Sequence, residues 1–155
     1  VPVAGLNAKL FNLTCVCVMH QNDPLAVKQT ITPADLAGRS VVAITGQHMV
    51  DRQLDSLLAA ADVNVERHIS SYFFAIARNI AAAGNALAII DPTNGKANLN
   101  DGVIWRPFVP RIHHELAIIT PSDQPLGQAA AGLYGLITQS LMPLTDASHN
   151  GHTYG

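Results

Sequence analysis

Three short stretches put hydroxyl, amide or carboxylate groups beside the start of a helix: "ITGQHM" (44–49), "HISSYF" (68–73) and "IIDPTN" (89–94). In the first, Thr45, Gly46 and Gln47 precede a helical stripe. Gly46 lets the backbone come close to a bound group, and the free N–H groups at a helix start favour an anion. In the second, either hydroxyl of Ser70 and Ser71 can cap the following helix or turn outward to a ligand, and capping needs only one of them. In the third, Asp91 before Pro92 can hold a ligand's ammonium group or close an Asx turn.

Other reactive residues lead to less. Ser70 or Ser71 with His68 and Asp91 has the ingredients of a nucleophilic triad, but no G-x-S-x-G elbow surrounds either serine, so no catalytic residue is assigned. His113 and His114 are adjacent and face opposite ways on a strand. His20, His48, His68, His149 and His152 are scattered, so no metal site and no cofactor are expected. Cys15 and Cys17 share one face of a strand without the geometry of a disulfide and read as buried thiols.

The elements that must position these groups follow from periodicity. Phe11, Leu13, Cys15, Cys17 and Met19 alternate with Val16 and Val18, which predicts one strand over 11–19, covered on both sides. Thr32, Pro33 and Gly38 bracket a short helical turn. "SVVAIT" (40–45) reads as a buried strand. Val50, Leu54, Leu57, Leu58 and Ala61 form an apolar stripe on a helix. "VNVERHI" (63–69) alternates as a strand. A second helix is expected from about Ser70, burying Phe73, Ile76, Ala77 and Ile80 and stopping at Gly84. "ALAII" (86–90), "VIWRPF" and "HELAIIT" read as strands, and 128–142 as a last helix. The tail 143–155 shows no periodicity and is expected to be disordered. Strands and helices alternating at this spacing predict an α/β unit with a largely parallel sheet, whose ligands gather at the carboxyl ends of strands.

Composition bounds the function. The 155 residues are 48% hydrophobic and 13% charged, an ordinary globular balance. Nine basic against eleven acidic residues give a net charge of −2, and no basic stripe marks a nucleic-acid surface. No apolar run is long enough to span a bilayer, which predicts a cytoplasmic chain without membrane contact.

Five stretches, in order, resemble the effector-binding (substrate-binding) domain of LysR-type transcriptional regulators: "CVCVMHQNDPLA", "ITPADLAGRSVVAI", "SSYFFAIARNIAAAGNALAIIDP", "VIWRPFVPRIHHELAII" and "PLGQAAAGLYGLI". They cover about residues 8 to 142. The "RPFxPxIxxEL" phrase and the "DP" ending resemble most the branch that includes regulators of opine and basic amino-acid metabolism. The chain departs from the family's "HPLA" at Asp23, and Ala86 stands where a glycine is usual. The resemblance implies an α/β fold of the periplasmic-binding-protein-like type 2 class. Residues 1–17 would be a remnant of lobe one with the crossover strand, and 18–108 the effector-binding lobe two. Residues 109–142 would be the return strand and C-terminal helix of lobe one.

The same resemblance implies a small-molecule effector held between lobes: an amino acid, an opine or another small carboxylate. Its contacts in lobe two would be Thr45, Gly46, Gln47, His48, Ser70, Ser71, Tyr72 and Asp91. The chain would begin at the crossover. It would bind the effector weakly or not at all by itself, form homodimers or larger assemblies, and reach promoter DNA only through an N-terminal helix-turn-helix domain with no counterpart here. A solute-binding lobe of a transport protein and a small α/β hydrolase are the alternatives.

Overall fold

A computed structural model describes residues 5–45 and 49–145, with the backbone of 153–154. Two compact units divide the chain: Thr14–His114, and the residues up to Leu13 together with those from Glu115 onward. The expected single strand over 11–19 is two, β1 (Leu6–Thr14) and β2 (Val16–His20). The break falls at Cys15, whose N–H turns to the Ile112 carbonyl at 2.8 Å. Cys15 and Cys17, expected on the crossover strand, lie in the larger unit.

In the larger unit, two 3-10 turns follow β2. Asp23 caps Pro24–Val27, accepting the Leu25 N–H at 2.9 Å. Thr32 and Asp35 bracket Pro33–Leu36, and Gly38 leaves that turn at φ +68, the left-handed conformation its position requires. Next come β3 (Ala43–Ile44), α1 (Met49–Ala60), β4 (Ser70–Ser71), α2 (Phe74–Ala82), β5 (Ala88–Ile90), the short helix α3 (Pro92–Gly95) and β6 (Val103–Pro107). β2 lies between β5 and β6 and is antiparallel to both. β3 and β4 pair in parallel, and a parallel bridge between Val41 and Leu87 continues the row to β5. The sheet is therefore mixed rather than largely parallel, because the chain enters it through β2 running against its neighbours.

Alternation along β2 divides the core. Cys15, Cys17 and Met19 join Leu36, Val50, Leu54, Leu58, Phe108 and Ile112 in one cluster. Val16 and Val18 join Val42, Ile44, Ala77, Ala81 and Ile90 in the other. Each fully buried aliphatic side chain contributes roughly 1.5–3 kcal/mol, so a strand buried on both faces anchors the unit. α3 presses on β2 so closely that a Cβ at Gly95 would meet Val16 Cγ2 at 2.3 Å. The 63–69 segment makes only one bridge, Ser40 with Glu66, before β4. α2 begins four residues later than expected. It buries Ala77, Arg78 and Ala81, while Phe73 and Ile76 are 65% and 49% exposed. The alanines let this helix lie close to the sheet and turn its larger side chains outward.

In the smaller unit, β1 pairs with β7 (His113–Pro121), whose first two residues belong to the larger unit, and with β8 (Thr153–Tyr154). This pairing places strand in a tail expected to be disordered. α4 (Gln128–Leu141) supplies Leu141 to a small core with Phe11 and Leu13.

Candidate functional site

β3 and β4 bring two of the three chemical stretches together. The register sets Ala43 beside Ser70 and Ile44 beside Ser71, and the Thr45 N–H donates to the Ser71 carbonyl at 2.9 Å. Thr45 and the Ser71–Tyr72 turn are thus neighbours at the carboxyl end of parallel strands. Gly46, Gln47 and His48 lie outside the described residues.

The hydroxyls at this edge differ. Thr45 Oγ1 is buried and has no hydrogen-bond partner among the described residues. A buried hydroxyl without a partner costs about 1–3 kcal/mol, which a ligand acceptor or donor would recover. Ser71 is satisfied locally. Its Oγ donates to the Phe73 carbonyl at 2.9 Å and accepts the Phe73 N–H at 3.1 Å. That turn pushes Tyr72 out to 71% exposure. Ser70 is exposed. Neither serine caps α2, because both lie in β4 and the cap position is Phe73.

Asp91 has a different task. It is buried, and its carboxylate accepts the N–H groups of Thr93 (2.9 Å) and Asn94 (3.2 Å), the Asn94 side-chain amide (2.8 Å) and the Thr93 hydroxyl. The carboxylate caps α3 and is occupied there, so an ammonium would have to displace the cap.

Sequence reasoning missed the side chains that hold this edge. Asp51, in the first turn of α1, accepts the Ile44 N–H at 3.2 Å, one residue before Thr45. Arg67 neutralises it at 2.7 Å and also reaches Asp55 at 2.8 Å. The helical i, i+4 spacing of Asp51 and Asp55 was a visible signal, but their shared cation comes from a different segment. Gln53 bonds both ways to the backbone of His113, at 2.8 and 2.9 Å, and so ties α1 to the start of β7. The His114 ring stands edge-on to Phe74 at 5.2 Å. Burial, and secondarily the charge of Asp91, pushes the Cys15 thiol up to about 12. Burial above all does the same for Cys17, so neither is a nucleophile.

A mixed α/β lobe with polar groups at adjoining strand tips defines a class of ligand-binding domain. The chain belongs to the LysR substrate-binding domain family, whose model matches residues 5–142. The family is the substrate-binding domain of LysR-type transcriptional regulators. Among curated relatives, the regulatory protein NocR of Agrobacterium tumefaciens is 27% identical over 110 residues, covering 71% of this chain and 37% of NocR. The transcriptional activator LysR of Escherichia coli is 24% identical over 145 residues, covering 88% of this chain and 47% of LysR. The chain thus spans less than half the length of either relative.

Solved structures show the same fold, that of LysR regulatory domains of the periplasmic-binding-protein-like type 2 class. HinK, a LysR family transcriptional regulator from Pseudomonas aeruginosa, superposes with a TM-score of 0.63 at 11% identity, over 93% of this chain and 51% of HinK. The regulatory domain of Synechocystis CcmR, solved in complex with 2-PG, gives 0.63 at 10% identity, over 92% of this chain and 71% of its own.

Proposed function

We propose that the chain is the effector-sensing part of a LysR-type regulator and that it takes a small carboxylate or amino-acid-like ligand at the tips of β3 and β4. The observation that carries this reading is the buried Thr45 hydroxyl, without a hydrogen-bond partner among the described residues, beside the Ser71 turn. Ser70 and Tyr72 are accessible at the same edge, and Gly46, Gln47 and His48 complete the segment between β3 and α1. A carboxylate suits this edge because backbone N–H groups at a helix start carry partial positive charge. Asp51 in that first turn would oppose an anion, but Arg67 offsets its charge. The complex of CcmR with 2-PG supports a small ligand on this fold. Asp91 is left out of the contact set because α3 occupies it.

Binding would act on transcription only through a difference in affinity between two conformations of the full regulator, passed to a helix-turn-helix domain on promoter DNA. We place the regulator in the cytoplasm. No helix among the described residues is long and apolar enough to cross a membrane. Self-association belongs to the same reading. Leu133 and Leu136 on α4 are 59% and 64% exposed, and open apolar surface of this kind seeks a partner. Light scattering over rising concentration should show dimers or larger species, and a monomer throughout refutes this part.

The ligand assay is an NMR titration of the chain with single amino acids, opine-type conjugates and simple dicarboxylates. Saturable shifts at the amides of Thr45 and 70–72 are expected, and Thr45→Val should abolish them. Saturable shifts confined to other residues, or none with any probe, would refute the site.

A further inference from the structure

At the opposite edge of the larger unit's sheet, Lys96, Ala97, Asn98 and strand β6 line an open groove of about 450 Å³. Its walls are cationic and aromatic. The Lys96 ammonium lies 4.5 Å from the centre of the Trp105 ring. The Arg106 guanidinium is held by carbonyls: Nε donates to Lys28 at 2.6 Å, Nη1 to Trp105 at 2.8 Å and Nη2 to Ala26 at 2.7 Å. Among the described residues, neither cation has a carboxylate within 4.0 Å. The nearby Asp101 is engaged by Arg78. On a chain of net charge −2, this is a local excess of positive charge.

The floor of the groove is a strand edge. The Gln21 N–H donates to the Gly102 carbonyl at 2.7 Å, and the register continues through Met19–Ile104 and Cys17–Arg106. These are the pairs that exchange hydrogen bonds with β2, so Val103, Trp105 and Pro107 turn their backbones to the open side. There, Pro107 is taken by the Ile31 N–H at 2.9 Å, the Trp105 carbonyl by Arg106, and the Val103 N–H by Asp101 at 3.3 Å. The Trp105 N–H and the Val103 carbonyl face outward, a donor and acceptor spaced as one residue of an added strand needs them.

We infer that this groove docks an extended acidic segment of a partner protein, which adds beside β6 and sets the carboxylates of one face against Lys96, on the side of the sheet where Trp105 lies. Charge complementarity selects the acidic character. The openness of the groove selects a segment over a small molecule, because small-molecule sites bury most of their ligand. This surface is separate from the site at the β3 and β4 tips and stands whether or not that site binds an effector.

Trp105 is the only tryptophan in the chain, so its emission reads this groove alone. The probe is the end-blocked peptide Glu-Val-Glu-Val-Glu, titrated into the 155-residue chain. A saturable change in emission is expected, weakened at least tenfold by Lys96→Glu and reduced by added salt. The exposed Lys96→Gln variant should fall between. Amide shifts should appear at Val103 and Trp105. No saturable change overturns the inference. So does an equal response to Lys-Val-Lys-Val-Lys, or the same saturation with N-acetylglutamate alone, which would mark a small-anion site. Peptide binding that leaves the Trp105 amide unmoved overturns the strand addition.

Discussion

Arg78 offers the sharpest test of how the larger unit is held. It is 2% exposed on α2, and its guanidinium bonds to both carboxylate oxygens of Asp101 and to the Ala97 carbonyl. Nε has no partner among the described residues. Asp101→Ala would strand this charge. Removing one partner of a fully buried pair costs about 3–5 kcal/mol. Asp101 is 30% exposed, and the Ala97 contact survives, so about 2–3 kcal/mol is expected after that discount. For a chain of this size the loss corresponds to a melting temperature lower by roughly 5–10 °C. The assay is thermal and urea unfolding followed by Trp105 emission, which reports the larger unit. Arg78→Met with Asp101→Ala should recover at least half the loss, since no charge then remains buried. A single variant within about 0.5 kcal/mol of the parent, or a double variant no better than the single, would refute the reasoning.

The pair also sets a pH dependence. The hydrogen bond from Arg78 holds the Asp101 carboxyl below its ordinary range. A depressed folded value means that the stability is complete above the unfolded carboxylate pKa, about 3.9, and is lost as pH falls through the folded value. The acid limb of a stability–pH curve should therefore be shallower in Asp101→Ala. Asp35, held low chiefly by Lys28, acts in the same direction.

Thr45→Val should raise the melting temperature by about 2–10 °C, as a buried hydroxyl without a partner among the described residues is removed, while it abolishes the ligand-induced shifts; a lower melting temperature would show that the hydroxyl is partnered. Gly95→Ala should cost about 1–3 kcal/mol in urea unfolding because its methyl meets Val16, and a change below about 0.5 kcal/mol would contradict the close approach. Cys15 and Cys17 should react with a disulfide reagent at about pH 8 only as fast as the chain unfolds, and immediate labelling would refute their burial.

Several features were legible before any coordinates. The alternation of Cys15, Cys17 and Met19 with Val16 and Val18 announced a strand buried on both faces, because the two-residue period is a property of the backbone itself. The spacing of Val50, Leu54 and Leu58 fixed the inner face of α1 for the same reason. Thr32, Pro33 and Gly38 marked their turn through local dihedral preferences. The adjacency of Thr45 to Ser71 was expected from general rules of α/β sheets, and the parallel pairing of β3 with β4 supplies it.

Other features had no local signal. α2 carries apolar residues on more than one side, and only the sheet beneath it selects Ala77 and Ala81 over Phe73 and Ile76. Asp91 could turn to a ligand or to its own backbone, and only the folded chain shows the capping bonds that it makes to α3. The antiparallel run of β2, the Arg78–Asp101 pair and the meeting of Lys96 with Trp105 depend on segments far apart in the chain. Periodicity and capping act over a few residues through fixed backbone geometry, so the amino-acid order alone determines them. Which distant groups meet depends on how every element packs at once, and only the folded chain settles that.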